Sequence, residues 1–564
     1  MNRFMKDKIL ASVILILLLV ATLNTASTSE NAQDPLADKV DKLFSELNNS
    51  KSPGIAVLVV RDGNVLLRKG YGMANLEHQA PITPETVFDI ASVSKQFCGM
   101  AISMLIEQEK ISLQDDIHKY IPELNDFGHT ITIDHLLHHM SGIRDWPGTL
   151  ALAGWQMDDV ISFDQILTMA FNQQGLNFKP GDEYLYSNTG YNLLAETVKR
   201  VTGKTFRQWT DENIFQPLGM KNTHFHDDHT EMVPNQAYSY HRGQGRKFSA
   251  ITNSLMALGS SSLYTTIDDL TKWVINFDNP KVGGKAVLDR MLTRGVLNSG
   301  RKITYMFGLS MGMYRGLKTR SHGGSWAGFR TFLVHFPDQK CSVVTLLNHS
   351  SISSSKAAYD IADIYLADEL KPLRKPARKR PDPKPVAVSG TILDEYVGIY
   401  KLGPAWYVTI SRDGDSLKTQ ATAEAAVPMT AQSETRFMVK AYSAPIVFRR
   451  DKAGKVSHFL YQGMTCPKLP ELLSPSPEQL AELTGEYESE ELQTIYTIAL
   501  EDGKLAAQHR RHGTISLTHA YKDDFRGGQW FMQSVEFLRN KTDKVTGFKV
   551  TQGRSRNQKF KKRK

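Results

Sequence analysis

Apolar and polar residues follow two different rhythms along this chain, and the change between them divides it. Apolar positions from Leu36 to Leu47 recur with helical spacing. Ile55 to Val60 and Val65 to Lys69 are short apolar runs joined across Asp62-Gly63-Asn64, the pattern of a hairpin. From about Ser92 to Phe277 the pattern is helical with long loops, including the apolar helix Phe97 to Ile106 and the run Tyr191-Asn192-Leu193-Leu194-Ala195. Strand character returns after Arg320. Phe329 to Phe336, a Pro337-Asp338 turn and Cys341 to Leu347 predict a second hairpin, and a helix from Ala357 to Leu370 closes the unit. Strands at both ends with helices between predict one antiparallel sheet built from the two ends of an α+β domain, residues 35–371.

Beyond a proline-rich basic stretch, residues 372–389, the rhythm shifts to short alternating strands and a repeat emerges. Gly398-Ile399-Tyr400, Tyr407-Val408-Thr409-Ile410 and Lys455-Val456-Ser457-His458-Phe459 return as Gly485-Glu486-Tyr487, Tyr496-Thr497-Ile498-Ala499 and Lys544-Val545-Thr546-Gly547-Phe548, at an offset of roughly 87 to 89 residues. Each unit, residues 390–468 and 478–558, is long enough for a small antiparallel β-barrel. Residues 559–564 read as a basic tail. Neither repeat displays a catalytic set.

A chain of 564 residues is too long for one core, which agrees with this division. Its first residues, Met1 to Lys8, are basic. Ile9 to Leu23 is apolar, and Thr25, Ala26 and Ser27 are small. This is the layout of a secretory signal peptide, residues 1–27, with an uncleaved inner-membrane anchor as the competing reading. A periplasmic or secreted location follows. Cys98, Cys341 and Cys466 are too few and too scattered for a disulfide framework. Much of the net charge of +9 lies in Lys371 to Lys384 and Lys559 to Lys564. Such runs are usually solvated, and weak attraction to anionic envelope surfaces is the alternative. No nucleic-acid-binding motif accompanies the charge.

Three short motifs carry chemistry. Ser92-Val93-Ser94-Lys95 precedes the apolar helix, so Ser92 and Lys95 share a helical face at its N-terminus. A serine hydroxyl needs a neighbouring base, and lysine serves only if its pKa is lowered. The bland reading is an N-capping serine with a solvated lysine one turn on. Tyr186-Ser187-Asn188 lies between the turn Lys179-Pro180-Gly181-Asp182 and the run Tyr191 to Ala195, where a loop aims side chains into a cleft; alone it would read as a packed tyrosine. His322-Gly323-Gly324-Ser325 precedes the second hairpin, and Gly324 would let a ligand approach the backbone. Two histidine groups, His135, His138, His139 and His224, His226, His229, invite a metal reading. The serine chemistry requires no metal, and none is expected.

In this order, the three motifs resemble those of serine β-lactamases and penicillin-binding proteins, in particular the class C β-lactamase, DD-peptidase and D-aminopeptidase group. Val87-Phe88-Asp89-Ile90-Ala91, Ile133 to Gly142 and Pro180-Gly181-Asp182 agree, and the resemblance runs from about Pro53 to about Asn348. It implies a β-lactamase/transpeptidase-like sheet flanked by a helical subdomain, with the active site at their junction. Ser92 would be the nucleophile and Lys95 its base, coupled to Tyr186 as proton shuttle. That role for Tyr186 asks for a pKa depressed by cations, with Lys95 and His322 as candidates. Asn188 would bind the substrate amide, along the edge strand formed by His322, Gly323, Gly324 and Ser325. The backbone N–H groups of Ser92 and Ser325 would form the oxyanion hole. His322 departs from the lysine usual in β-lactamases and is similar to certain DD-peptidases and the D-aminopeptidases. Paired lipocalin-like barrels resemble the C-terminal domains of D-aminopeptidases, where barrel loops reach the cleft and restrict substrates.

The resulting expectation is a secreted serine hydrolase acting through an acyl-enzyme on D-amino-acid peptides or amides, D-aminopeptidase or DD-carboxypeptidase-like, without a cofactor. A carboxylic ester hydrolase or β-lactamase on the same site is the alternative. A non-hydrolytic penicillin-binding or wall-recognition protein is the second. The expected partner is a small molecule or short peptide, peptidoglycan-derived ones included, and no nucleic acid.

Overall fold

A computed structural model describes residues 35–243, 247–372, 385–422, 424–470 and 475–564. The expected signal peptide and most of the linker, residues 373–384, lie outside the described residues. Among the described residues no helix is long and apolar enough to cross a membrane.

Six strands form the expected antiparallel sheet: β1 (Ile55–Arg61), β2 (Asn64–Tyr71), β3 (Ser310–Tyr314), β4 (Leu317–Trp326), β5 (Phe329–Phe336) and β6 (Cys341–Leu347), in the order β3-β4-β5-β6-β1-β2. β1 is apolar and buried from Ile55 to Val60 because both its faces are covered. Ile55, Val57 and Val59 pack toward helices α1 (Pro35–Leu43) and α6 (Ser354–Tyr365), while Ala56, Leu58 and Val60 join the core of the helical side. Successive strand residues point to opposite faces, so one strand seals two layers. β1 joins the C-terminal β6 from Ile55↔Leu347 to Arg61↔Cys341, which fixes the sheet around both ends of the domain. β3 covers β4 only from Leu317 to Ser321. His322 to Trp326 therefore pair with β5 alone and present an open edge.

Against this edge stands the start of α2 (Lys95–Glu107), preceded by a short 3-10 turn, Ala91–Ser94. Ala91 has φ +47°, a left-handed conformation that costs a non-glycine residue about 1 kcal/mol or more. Its N–H donates to Asp89 Oδ1 at 2.7 Å, and Asn253 Nδ2 holds the other carboxylate oxygen at 2.9 Å. The helical layer also supplies α3 (Trp146–Leu152), α4 (Asn188–Thr202) and α5 (Ile267–Asn276).

The repeats are two closed up-and-down barrels of eight strands. The first runs from β7 (Gly398–Gly403) to β14 (Met464–Leu469) and the second from β15 (Gly485–Ser489) to β22 (Ser555–Lys562). The duplication extends to single contacts. Tyr400 and Tyr487 each donate to a carbonyl four residues earlier, at 2.8 and 2.7 Å. Lys468 and Lys562 lie over those rings and donate to Glu395 and Glu482 carbonyls, each at 2.8 Å. The basic stretch expected as a tail is corrected by β22, which runs on to Lys562. Phe560 points into the barrel and is buried, while Lys559 and Lys561 alternate outward, so charge on one face conceals a strand.

The second barrel is seated on the N-terminal α+β domain. Ala151 and Leu152 of α3 join its core, and Tyr496 donates to the Leu152 carbonyl at 3.0 Å. Arg144 and Glu491 form an ion pair across the junction, with side chains 4% and 6% exposed. Arg556 pairs with Glu183 at 3.1 Å, and Arg511 with Asp159 at 2.7 Å. A Cβ on Gly148 would fall 1.7 Å from Gln552 Nε2, so the α3 backbone meets the barrel where a side chain has no room.

Candidate active site

A cleft of about 950 Å3 lies where the open edge of β4 faces Ser92. Ser92, Tyr186, Asn188, His322, Gly323, Gly324 and Ser325 all line it, and Lys95 lies directly beneath. The structure thus brings the expected site residues together. Lys95 is fully buried, and its Nζ reaches Ser92 Oγ at 3.2 Å, Asn188 Oδ1 at 2.7 Å and the Ser260 carbonyl at 2.7 Å. Burial holds its pKa well below the ordinary lysine value; Asp145 opposes that shift and Arg554 adds to it. A buried amine of this kind accepts a proton from a hydroxyl more readily than a solvated one.

Tyr186 is set by the turn before α4, with Lys95 Nζ 4.8 Å and Arg554 Cζ 4.7 Å from its ring centre. Its pKa is raised, not lowered as the shuttle role would ask, because burial outweighs the opposing pull of the Ser92 hydroxyl and Arg554. The Ser92 hydroxyl opposes that rise, although among the described residues the phenol meets no partner at full hydrogen-bond geometry. In the resting site Tyr186 is a neutral phenol. His322 cannot assist as a cation. Burial, with Lys95 nearby, pushes its pKa down to about 3. Its Nδ1 donates to the Gly323 carbonyl at 2.7 Å and its Nε2 accepts from Tyr305 at 2.9 Å, which fixes the neutral tautomer.

Asn188 is bound on both sides. Its Oδ1 accepts from Lys95, its Nδ2 donates to Asp145 Oδ2 at 3.2 Å, and its backbone N–H donates to Asp145 Oδ1 at 2.7 Å. Gly324 differs from the reading that it admits a ligand. A Cβ there would lie 2.2 Å from Thr331 Oγ1 and 2.3 Å from the Ile90 carbonyl. Its missing side chain lets β4 close on the Ser92 turn. Gly323 has room, its nearest neighbour being the Phe332 ring at 3.4 Å.

Asp145, Ser260 and Arg554 were not among the expected site residues. Arg554 comes from the turn joining β21 (Val545–Gln552) to β22, and its Nη1 donates to Asp145 Oδ2 at 3.2 Å. Trp530 of the same barrel also lines the cleft. The second barrel therefore supplies groups to the site and does not merely screen it. A Gly553-Arg554 turn signals a hairpin in sequence, but nothing local shows where that hairpin docks.

The histidine groups separate. His138 meets the Asp134 and Thr293 carbonyls through its two ring nitrogens, at 3.2 and 3.0 Å, and His139 Nδ1 accepts from the Ser187 N–H at 3.1 Å. His135 closes a capping box with Thr132. His224, His226 and Glu231 do converge, with ligand atoms within 4.8 Å of one another, and burial keeps both imidazoles neutral. The Glu231 carboxylate there is already held by both terminal nitrogens of Arg207, at 2.6 and 2.8 Å, which disfavours a cation.

Residues 40–366, more than half of the chain, match the Beta-lactamase family. A D-aminopeptidase of Gluconobacter oxydans is 28% identical over 348 residues, covering 62% of this chain and 64% of that protein, so less than two thirds of that relative is spanned. Penicillin-binding protein 4* of Bacillus subtilis is 26% identical over 439 residues, 74% of this chain and 95% of that one. The octameric penicillin-binding protein homologue from Pyrococcus abyssi superposes with a TM-score of 0.54 at 22% identity, covering 84% of this chain and 98% of that one. That likeness concerns the fold. With the serine, lysine and tyrosine of a serine hydrolase gathered at one cleft and the family matched across the whole catalytic domain, the chain belongs to the β-lactamase family.

Proposed function

We propose that this chain is a serine hydrolase that cleaves peptide or amide bonds of D-amino acids through an acyl-enzyme. The observation that carries the reading is the buried Lys95 amine 3.2 Å from Ser92 Oγ, at the foot of an open strand edge. In its neutral form Lys95 takes the Ser92 proton as Oγ attacks the substrate carbonyl. The backbone N–H groups of Ser92 and Ser325 face the developing oxyanion. Tyr186, a neutral phenol beside Ser92, donates its proton to the leaving nitrogen and recovers one from Lys95. Water then enters, Lys95 and Tyr186 reverse their roles, and the acyl group leaves Ser92. The D-amino-acid preference is supported by the D-aminopeptidase relative and by the paired barrels. The basic start and apolar Ile9 to Leu23 support export to the periplasm or beyond.

A fluorophosphonate probe tests the nucleophile: it labels the wild type at Ser92, and Ser92→Ala abolishes labelling and turnover. Labelling that survived the substitution would overturn the assignment. Purified protein presented with D-amino-acid peptides and amides, short p-nitrophenyl esters and nitrocefin ranks the substrate classes, and the D-amino-acid peptides turn over fastest. Turnover of esters or nitrocefin alone would transfer the same serine chemistry to the alternative substrates.

A further inference from the structure

Charge in the cleft is one-sided. Two arginines line it, Arg330 and Arg554, and among the described residues no aspartate or glutamate does. Asp145, the carboxylate beneath Asn188, is 5% exposed and committed: Asn188 donates to both oxygens, and Arg554 Nη1 shares Oδ2. Arg554 is its opposite, with a side chain 49% exposed. Among the described residues that bond to Asp145 is the one hydrogen bond its guanidinium makes, so most of its five N–H donors have no protein partner there. Its backbone is held by rigid contacts: the Arg554 carbonyl accepts from Asn177 Nδ2 at 2.9 Å, and Ser555 Oγ donates to the Asp145 carbonyl at 3.0 Å. The turn is a fixed mount, and the guanidinium rests on the Tyr186 ring beside Ser92.

Arg330 repeats the theme. It stands directly across from Ser325 in the β4–β5 register, half-buried, and Nη1 donates to the carbonyls of Ala327 and Phe329 at 3.1 and 2.7 Å. No carboxylate among the described residues pairs with it. Like charges along a low-dielectric cleft focus the field and draw anions. A guanidinium fork with free donors fits a carboxylate in two parallel hydrogen bonds.

We infer that Arg554, delivered by the second barrel, is the specificity-determining residue of this site and selects substrates that carry a free carboxylate near the scissile bond, disfavouring those that carry a free ammonium. The inference rests on the serine hydrolase reading and deepens it: among D-amino-acid substrates it separates peptides with an anionic end from amino-acid amides with a cationic one. The barrel thereby becomes a charge filter as well as a wall.

The test is built to part the two readings. Phenylboronic acid, 3-carboxyphenylboronic acid and 3-(aminomethyl)phenylboronic acid form adducts with a reactive serine whatever the natural substrate, and each competes with fluorophosphonate labelling of Ser92. In the wild type the carboxylate compound binds about 10-fold or more tighter than the neutral parent, as a charge-assisted pair does, and the ammonium compound binds weakest. Arg554→Gln brings the three within about threefold of one another, and Arg554→Lys restores part of the order. The same ranking holds for kcat/KM of N-acetyl-D-alanyl-D-alanine over its C-terminal amide and over D-alanine amide. Adducts without a charge order, a wild-type preference for the ammonium compound, or a carboxylate preference that survives Arg554→Gln each overturn this inference alone. Equal weakening of all three compounds by Arg554→Gln also overturns it, since that is the mark of a structural arginine. If no boronate competes at Ser92, the nucleophile assignment falls and takes this one with it.

Discussion

Removing Arg144 should unseat the second barrel. Its guanidinium pairs with Glu491, donates from Nε to the Arg556 carbonyl at 2.9 Å and from Nη2 to the Asn557 carbonyl at 3.4 Å. Both members of the pair are almost fully shielded from water, so Arg144→Ala strands a buried carboxylate and two carbonyls without donors. Breaking a buried pair from one side costs about 3–5 kcal/mol, which at ~1.4 kcal/mol per decade is roughly 10²- to 10⁴-fold in the docking equilibrium. Replacing both partners by leucine leaves no stranded charge and should cost much less, so a double-mutant cycle isolates the pair. The assay is urea unfolding followed by tryptophan fluorescence. Trp530, at the rim of the cleft, reports when the barrel leaves, and an early transition should split from the main one in Arg144→Ala. Undocking should also abolish the charge order among the boronates, because Arg554 leaves with the barrel. A loss below about 0.5 kcal/mol, the scale of an exposed pair, would refute the reasoning and mean that the apolar contact around Ala151 and Leu152 holds the junction unaided.

Tyr186→Phe retains the ring but not the donor and should lower kcat by about 10²-fold or more, with Lys95→Ala at least as severe; near wild-type turnover in Tyr186→Phe would leave Lys95 as the sole proton carrier. Gly324→Ala places a methyl against the Ile90 carbonyl, and should destabilise the protein by about 1–3 kcal/mol and slow fluorophosphonate labelling, whereas Gly323→Ala should cost far less stability; equal melting shifts for the two would count against the close-packing account. Burial pushes the His335 pKa down to about 3, and its Nδ1 meets Ser342 Oγ at 2.9 Å. The unfolded chain therefore binds a proton as pH falls below about 6.5 and the native state does not, so stability present at pH 7.5 is lost on acidification, by ~2 kcal/mol at pH 5 from this group. His335→Gln should flatten the stability-versus-pH curve by that amount between pH 7.5 and 5, and an unchanged slope would show that His335 protonates without opening the fold.

Much of this architecture is legible in local patterns because the determinants are local. The apolar run of β1, the hairpin turns, the helix behind Ser92 and the repeated Gly-x-Tyr starts each follow from residues within a few positions. The motif triad is legible for a related reason: Ser92 and Lys95 share one helical turn, and Tyr186 and Asn188 share one loop. What the sequence hides is set by packing at long range. Nothing near Gly324 reveals that its neighbour is the Ile90 carbonyl. The neutral state of His322 and the raised pKa of Tyr186 depend on how completely the site is buried, a property of the assembled fold. The basic end was legible as charge, and only the inward Phe560 among outward lysines betrays a strand. Arg554 was least visible of all, since its meaning depends on a partner in another domain.

That partnership has a temporal consequence. Asp145 and Arg554 are separated by 409 positions, and domains generally fold in order as the chain emerges during synthesis. The catalytic domain can complete its sheet once β6 has been made, well before the ribosome has translated either barrel. Throughout that interval Asp145 is a carboxylate without its guanidinium, and the nascent cleft is open on the side that the β21–β22 turn later fills. Completion of the site thus waits on the β21–β22 turn, which lies far downstream of every motif residue. A nascent or prematurely terminated chain would display Ser92 and Lys95 yet lack the arginine that discriminates among substrates, so selectivity arrives only with the closing hairpin of the second barrel.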